Sequence, residues 1–323
     1  MTDPFGRTVD YLRISVTDRC NERCLYCMPE GYKGWAQRPD HLTAAELVSI
    51  ATAASSLGFR KFRLTGGEPL LRPDLVSIAA GIAALPTTSS LGLSTNGTRL
   101  ASAARDLGNA GVTSVNVSLD ALDPDTYHRI TGGRLADALA GIHAAITADF
   151  ESVKLNVVLM RGVNETQLAP LVRFAAEHRT PVRFIELMPL TRTDVLSSDN
   201  FLSCEAARSL IEAELGPLLP LPEYRAGHGP ARYARAQNGA LVGFIGALTT
   251  PDFCASCNKL RLTSDGKLRP CLGRHGEIDL LAPLRAGQAD LETLLTEAIA
   301  NKPQDHTFQQ DYIPSRPMTA IGG

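Results

Sequence analysis

Three cysteines stand close together in CNERCLYC, residues 20–27, with three and then two residues between them and Tyr26 just before the third. Three more lie far along the chain in CASCNKLRLTSDGKLRPCL, where two residues separate Cys254 from Cys257 and thirteen separate Cys257 from Cys271. With seven cysteines in 323 residues, two further cysteines fall at two specified positions roughly once in two thousand trials. Chance placement of small buried hydrophobes therefore does not account for either triplet. Thiolates at such spacing ligate metal. Three without a near fourth suit a zinc with an outside ligand, an electron-transfer cluster, or a [4Fe-4S] cluster with one iron free of protein ligands; zinc sites and electron-transfer clusters ordinarily close with four. His275, four residues beyond Cys271, is the nearest candidate for a fourth ligand, and its position reads rather as a surface side chain. Arg261 and Lys259 beside the second triplet suggest that an anionic ligand shares its pocket. The seventh cysteine, Cys204 in FLSCEAARSL, sits at the start of a helical pattern and reads as a small structural residue.

These groups need a scaffold, and the chain between the triplets supplies a repeating one. YLRISVT alternates and is β-branched, LTAAELVSIATAASSLG has helical spacing up to Gly58, KFRLTGGEP is a strand running into a Gly-Gly turn, and PDLVSIAAGIAAL is helical again. SLGLSTNG, SVNVSLD, SVKLNVVLM and PVRFIELMP are four more short apolar strands, with helices expected near 99–110, 135–149 and 165–178. Six strand-helix units without G-x-G-x-x-G after the first strand favour a parallel α/β barrel or partial barrel over a dinucleotide-binding sheet. Its C-terminal strand ends, where such barrels gather their chemistry, carry the first cysteine loop, TGGEP, STNG, SLD, KLN and ELMP. Past about residue 215 the pattern turns Gly- and Pro-rich and then β-like, and KLRLTSDGKLRPCL reads as a hairpin turning at Asp265-Gly266. The expected division is a partial barrel over 1–225 and a smaller α+β region over 226–323 that carries the second triplet and covers the barrel mouth.

Composition limits the partners. A net charge of -2, with 44% hydrophobic and 20% charged residues, describes an ordinary globular chain and argues against duplex nucleic acid or an anionic membrane as main partner. No secretory leader and no run of about 18 apolar residues is visible, so a reducing cytoplasm is the expected location.

C-x-x-x-C-x-x-C after a first strand, followed by TGGEP after the second, resembles the radical S-adenosylmethionine (SAM) superfamily. LRISVTDRCNERCLYCMP, RLTGGEPLLR, LSTNG, NVSLD, KLNVVLMRGVN, FIELMP, CASCNKLRLTSDGKLRPCL and a terminal IGG together resemble the MoaA family of GTP 3',8-cyclases, from about Asp10 to Gly323. That resemblance implies an incomplete (β/α)6 TIM-type barrel, two [4Fe-4S] clusters, SAM, and conversion of GTP to the 3',8-cyclo-7,8-dihydro nucleotide that opens molybdenum cofactor biosynthesis. Cys20, Cys24 and Cys27 would hold one cluster, and Cys254, Cys257 and Cys271 the other, whose open iron would take the purine. Tyr26, Gly67, Ser118, Met188 and Asn156 would line the SAM site. Arg13, Arg63, Ser94, Lys154, Lys259 and Arg261 would contact GTP, with Lys259 standing where the family commonly has Arg. Gly322 and Gly323 would reach into the active site. The resemblance also implies an external electron donor and a product passed to cyclic pyranopterin monophosphate synthase (MoaC), and leaves the oligomeric state open, a homodimer being one form. A peptide-modifying enzyme with an auxiliary cluster ordinarily carries more C-terminal cysteines than these three, and an electron carrier or zinc-stapled binding protein would leave TGGEP and the basic set unexplained.

Overall fold

The computed structural model describes residues 1–28, 41–191, 198–310 and 312–322. Six parallel strands follow one another side by side: β1 (Tyr11–Ser15), β2 (Lys61–Thr65), β3 (Ser90–Thr95), β4 (Ser114–Ser118), β5 (Ser152–Leu159) and β6 (Val182–Glu186). Helices α1 (Ala44–Ser56), α2 (Leu75–Ala83), α3 (Leu100–Asn109), α4 (Pro124–Thr131), α5 (Leu135–Thr147), α6 (Leu168–Glu177) and α7 (Cys204–Leu215) form the crossovers. All six expected strands are present. The sequence reading had no counterpart for α4, which Asp123 caps through the Thr126 amide, with Pro124 in its first turn and a left-handed Gly132 at its end.

The local causes are ordinary ones. Thr43 and Glu46 close a capping box at the start of α1, and Leu47, Ile50, Ala51 and Ala54 put an i, i+3, i+4, i+7 stripe into the core. Along β1, Leu12 and Ile14 are fully buried against that helix layer, each worth about 1.5–3 kcal/mol of apolar burial. The alternate residues Tyr11, Arg13 and Ser15 take the other face by the period of two.

Six parallel strands do not close a barrel here, and the sheet is continued at both edges. On the β6 side stand β9 (Leu241–Ile245), β8 (Arg232–Arg235) and β7 (Leu219–Leu221); on the β1 side stand β10 (Lys259–Leu262), β11 (Lys267–Arg269) and β12 (Ile278–Asp279). β9 runs parallel to β6 and β10 parallel to β1, so the C-terminal part extends the barrel wall from both open edges. The hairpin at Asp265-Gly266 forms as expected, with Gly266 at φ 75°. α8 (Leu281–Arg285), α9 (Leu291–Ala300) and α10 (Met318–Ile321) complete the chain. None of the described helices is long and apolar enough to cross a membrane.

Candidate active site

Strand register lays the basic residues in rows. Arg261, Arg13 and Arg63 are direct neighbours across β10, β1 and β2, and the same row continues to Gly92 on β3. Ser94, Asn116 and Lys154 form a second row, and Asn156 and Arg183 a third. The barrel interior is therefore polar where the sequence suggested simply apolar strands, and it encloses a cavity of about 580 Å³. Gly92 leaves room for the Arg63 guanidinium: a Cβ there would collide with its Nη2. The guanidinium lies over that gap, donating from Nε to Tyr11 Oη (2.6 Å), from Nη1 to the Leu93 carbonyl (2.7 Å) and from Nη2 to Ser114 Oγ (3.1 Å).

Both cysteine triplets line this one cavity although more than 220 residues separate them in sequence, and so do Tyr26, Gly67, Ser118, Met188, Asn156, Arg13, Arg63, Ser94, Lys154, Lys259 and Arg261. Gly322 is buried, and its carbonyl accepts from Nη1 of the cavity-lining Arg261 (2.8 Å). Gly323 lies outside the described residues. His275 hydrogen-bonds Ser315 Oγ through Nδ1 (3.1 Å) and stacks on Tyr312, as a side chain holding the C-terminal tail. Half-buried Cys204 starts α7, where its amide donates to the fully buried carboxylate of Glu186 (3.0 Å).

The first triplet is shaped by its neighbours. Cys27 and Met28 amides both donate to the Cys24 carbonyl, folding the loop tightly. The Gly67 amide donates to the Thr17 carbonyl (2.8 Å), and a Cβ on Gly67 would collide with the Arg19 carbonyl oxygen, so the Gly-Gly turn lies directly against the cysteine loop. Glu68 locks that turn from beneath: fully buried, it accepts from Thr95 Oγ1 and from the Asn96 and Leu70 amides, and burial pushes its carboxyl up to about 7. Tyr26 donates to Asp120 (2.8 Å), whose other oxygen takes the Val158 amide (2.7 Å); burial raises Asp120 to about 6. Asp120, Tyr11 and Arg183 are site residues that sequence reasoning passed over, although SLD had marked a strand end.

The donor set fits iron-sulfur clusters. All six cysteines are free thiols, and burial pushes Cys20 and Cys27 up to about 12, so iron would replace a proton at each sulfur. Among the described residues no three Cys, His, Asp or Glu converge as ligands of a single metal ion do.

The other half of the cavity is lined by cationic side chains. Burial lowers Arg13 to about 9, with the neighbouring Arg261 adding to the effect, and lowers Lys154 to about 7, with Arg183 and Arg63 adding to it. Tyr11 is raised by burial and, outweighing that, pulled down by Arg63 and Arg13 to about 8. Cations held so close together in a buried cavity create a strongly positive field there, of the kind that perturbs pKa values at functional sites.

A parallel six-strand barrel wall with a three-cysteine loop after its first strand is the architecture of a radical SAM enzyme. Residues 14–175 match the Radical SAM superfamily model and residues 180–308 the Molybdenum Cofactor Synthesis C model. Streptococcus suis SuiB bound to SAM superposes over 90% of this chain and 68% of its own at a TM-score of 0.61 and 16% identity, which supports the fold. Native anSMEcpe with bound AdoMet covers 92% of this chain and 82% of its own at a TM-score of 0.58 and 15% identity. The GTP 3',8-cyclases of Pelotomaculum thermopropionicum (43% identical over 327 residues) and Moorella thermoacetica (41% over 327) match over 100% of both chains. That of Rhodopseudomonas palustris is 42% identical over 335 residues, covering 100% of this chain and 96% of its own. The chain belongs to the GTP 3',8-cyclase family.

Proposed function

We infer that the chain converts GTP to (8S)-3',8-cyclo-7,8-dihydroguanosine 5'-triphosphate, the first step of molybdenum cofactor biosynthesis. The observation that carries this reading is the set of rows of Arg and Lys lying in one cavity with both cysteine triplets. When bound, the two [4Fe-4S] clusters and SAM supply the electron and the 5'-deoxyadenosyl radical that removes the ribose C3' hydrogen before C3' joins C8 of guanine.

The protein's own part is placement. Cys20, Cys24 and Cys27 would hold the cluster that serves SAM, beside Tyr26, Gly67, Ser118, Asn156 and Met188. Cys254, Cys257 and Cys271 would hold the one that takes the purine. Arg13, Arg63, Ser94, Lys154, Lys259 and Arg261 would hold the triphosphate and ribose between them, the cations replacing lost water around the phosphates. Lys259 gives a point charge without a guanidinium's bidentate fork, and its Nζ lies 5.4 Å from the Tyr11 ring centroid. In this reading 1–225 forms the barrel and 226–323 closes its open edges. An external reductant supplies electrons, and the product passes to cyclic pyranopterin monophosphate synthase.

The direct test is anaerobic incubation of the reconstituted enzyme with GTP, SAM and dithionite, with mass analysis of the nucleotide. Cyclised nucleotide is expected; 5'-deoxyadenosine with unchanged GTP would count against the assignment.

Lys154 makes the binding step pH-dependent. Free, it titrates near 7; beside a polyphosphate its charged form is favoured and its pKa rises. GTP binding then takes up a proton, so affinity is greatest below that value and falls as pH rises through it, by up to about tenfold per unit. Tyr11, near 8, pushes in the same direction as it ionises. Calorimetric titrations between about pH 7.5 and pH 9 are expected to give a steeper loss of affinity for the native chain than for Lys154→Met; equal slopes would remove Lys154 from the phosphate site.

A further inference from the structure

Lys302 stands just past the end of α9 and is 3% exposed. Its three ammonium protons are all committed: to the Pro270 carbonyl (2.8 Å), the Lys259 carbonyl (2.9 Å) and Sγ of Cys257 (3.4 Å). Among the described residues no carboxylate forms an ion pair with it, and a buried ammonium without a counter-charge costs several kcal/mol. The anion its hydrogen bonds reach is the Cys257 sulfur as a thiolate. The two carbonyls also belong to the segments carrying the second triplet, since Lys259 is two residues past Cys257 and Pro270 directly precedes Cys271. One side chain therefore spans both arms of C-x-x-C…C and places a full positive charge against one of its sulfurs.

We propose that Lys302 is the built-in counter-ion of the C-terminal iron-sulfur cluster, fixing the Cys257 and Cys271 arms and making that cluster easier to reduce. The inference rests on the reading that this triplet holds a cluster. A cation donating to a ligand sulfur withdraws negative charge from it and stabilises the reduced cluster over the oxidised one. The thiolate in turn repays the desolvation of the lysine, so each group justifies the burial of the other.

The test isolates this cluster in the full-length chain by replacing Cys20, Cys24 and Cys27 with serine. Iron is counted after anaerobic reconstitution, and the midpoint potential is read by electron paramagnetic resonance titration. Lys302→Met is expected to shift the potential to more negative values and Lys302→Arg, which keeps the charge, to leave it close to the parent. Lys302→Gln covers the case in which the methionine variant does not fold, with the same negative shift expected. Full iron with an unshifted potential in the neutral variants would overturn the proposal, as would equal loss of iron in the arginine and neutral variants despite native circular dichroism. Loss of iron confined to the neutral variants supports it. A parent that binds no iron with Lys302 intact would instead sink the cluster reading itself, so the two failures are told apart.

Discussion

Cys24→Ala is expected to reduce 5'-deoxyadenosine formation to background, whereas Cys257→Ala keeps SAM cleavage and loses nucleotide cyclisation. The two triplets share one cavity but lie against different partners. Cys24 sits in the loop that Gly67 and Glu68 fasten, next to Tyr26 and Asp120, on the side of the cavity proposed above to hold SAM. Cys257 sits beside Lys259 and Lys302, on the basic side. Removing a thiolate from the first triplet removes the route by which an electron reaches the sulfonium, and no residue of the second triplet can replace it. Removing one from the second leaves that route intact and takes away the purine anchor, so cleavage continues uncoupled from GTP. Iron is expected to fall in both variants from about eight to about four per chain, if each triplet holds its own cluster. Side-by-side assays of 5'-deoxyadenosine, cyclised nucleotide and iron decide the matter; identical cleavage by the two variants would refute the division of labour.

The sequence made the local parts legible. Alternation located the first strand, the run into a Gly-Gly turn the second and short apolar runs the other four, Asp265-Gly266 located the hairpin, and the cysteine spacings located both triplets, because each depends on residues near one another in sequence. What it left hidden is non-local. Nothing in KLRL says that β10 pairs in parallel with β1, yet that register alone sets Arg261 beside Arg13 and brings a sulfur-bearing loop from past residue 250 to the mouth formed by residues 20–27. Gly92 in SLGLST looks like a weak strand residue until the Arg63 guanidinium is seen over it. SLD marks Asp120 only as a strand end and Lys302 has no flanking pattern, since their partners Tyr26 and Cys257 are 94 and 45 residues away. α4 is short and polar, with a stripe too narrow to distinguish it from the loop before α5.

Removing Gly322 and Gly323 is expected to leave both clusters assembled and GTP bound, and to lower cyclised product sharply. Read alone, two terminal glycines suggest fraying. The tail leading to them, however, is fastened at several points. Tyr312 stacks on His275 at 4.9 Å between ring centroids, and Arg316 pairs with Asp265 (2.8 Å) and Glu277 (3.0 Å). α10 then buries Thr319, Ala320 and Ile321 and delivers Gly322 to Arg261. Gly322 takes φ 80°, and a Cβ there would lie 2.9 Å from Cβ of Ser15 and 3.0 Å from Cγ2 of Thr65, at the ends of β1 and β2. Gly322→Ala thus combines a left-handed backbone, costing about 1–2 kcal/mol, with over-close contacts to the Ser15 and Thr65 side chains at two strand ends. If that cost falls on the positioned tail, cyclisation drops by about tenfold or more. Arg316→Ala should act in the same direction more weakly, because the stacked Tyr312 and α10 still hold the segment. Cluster content and GTP affinity, measured beside turnover, separate this from general damage: a tail used for placement lowers cyclised product per 5'-deoxyadenosine formed while both binding measures stay at the parent level. A truncated chain lacking both glycines that cyclises GTP at the full-length rate would show that the fastening serves stability alone.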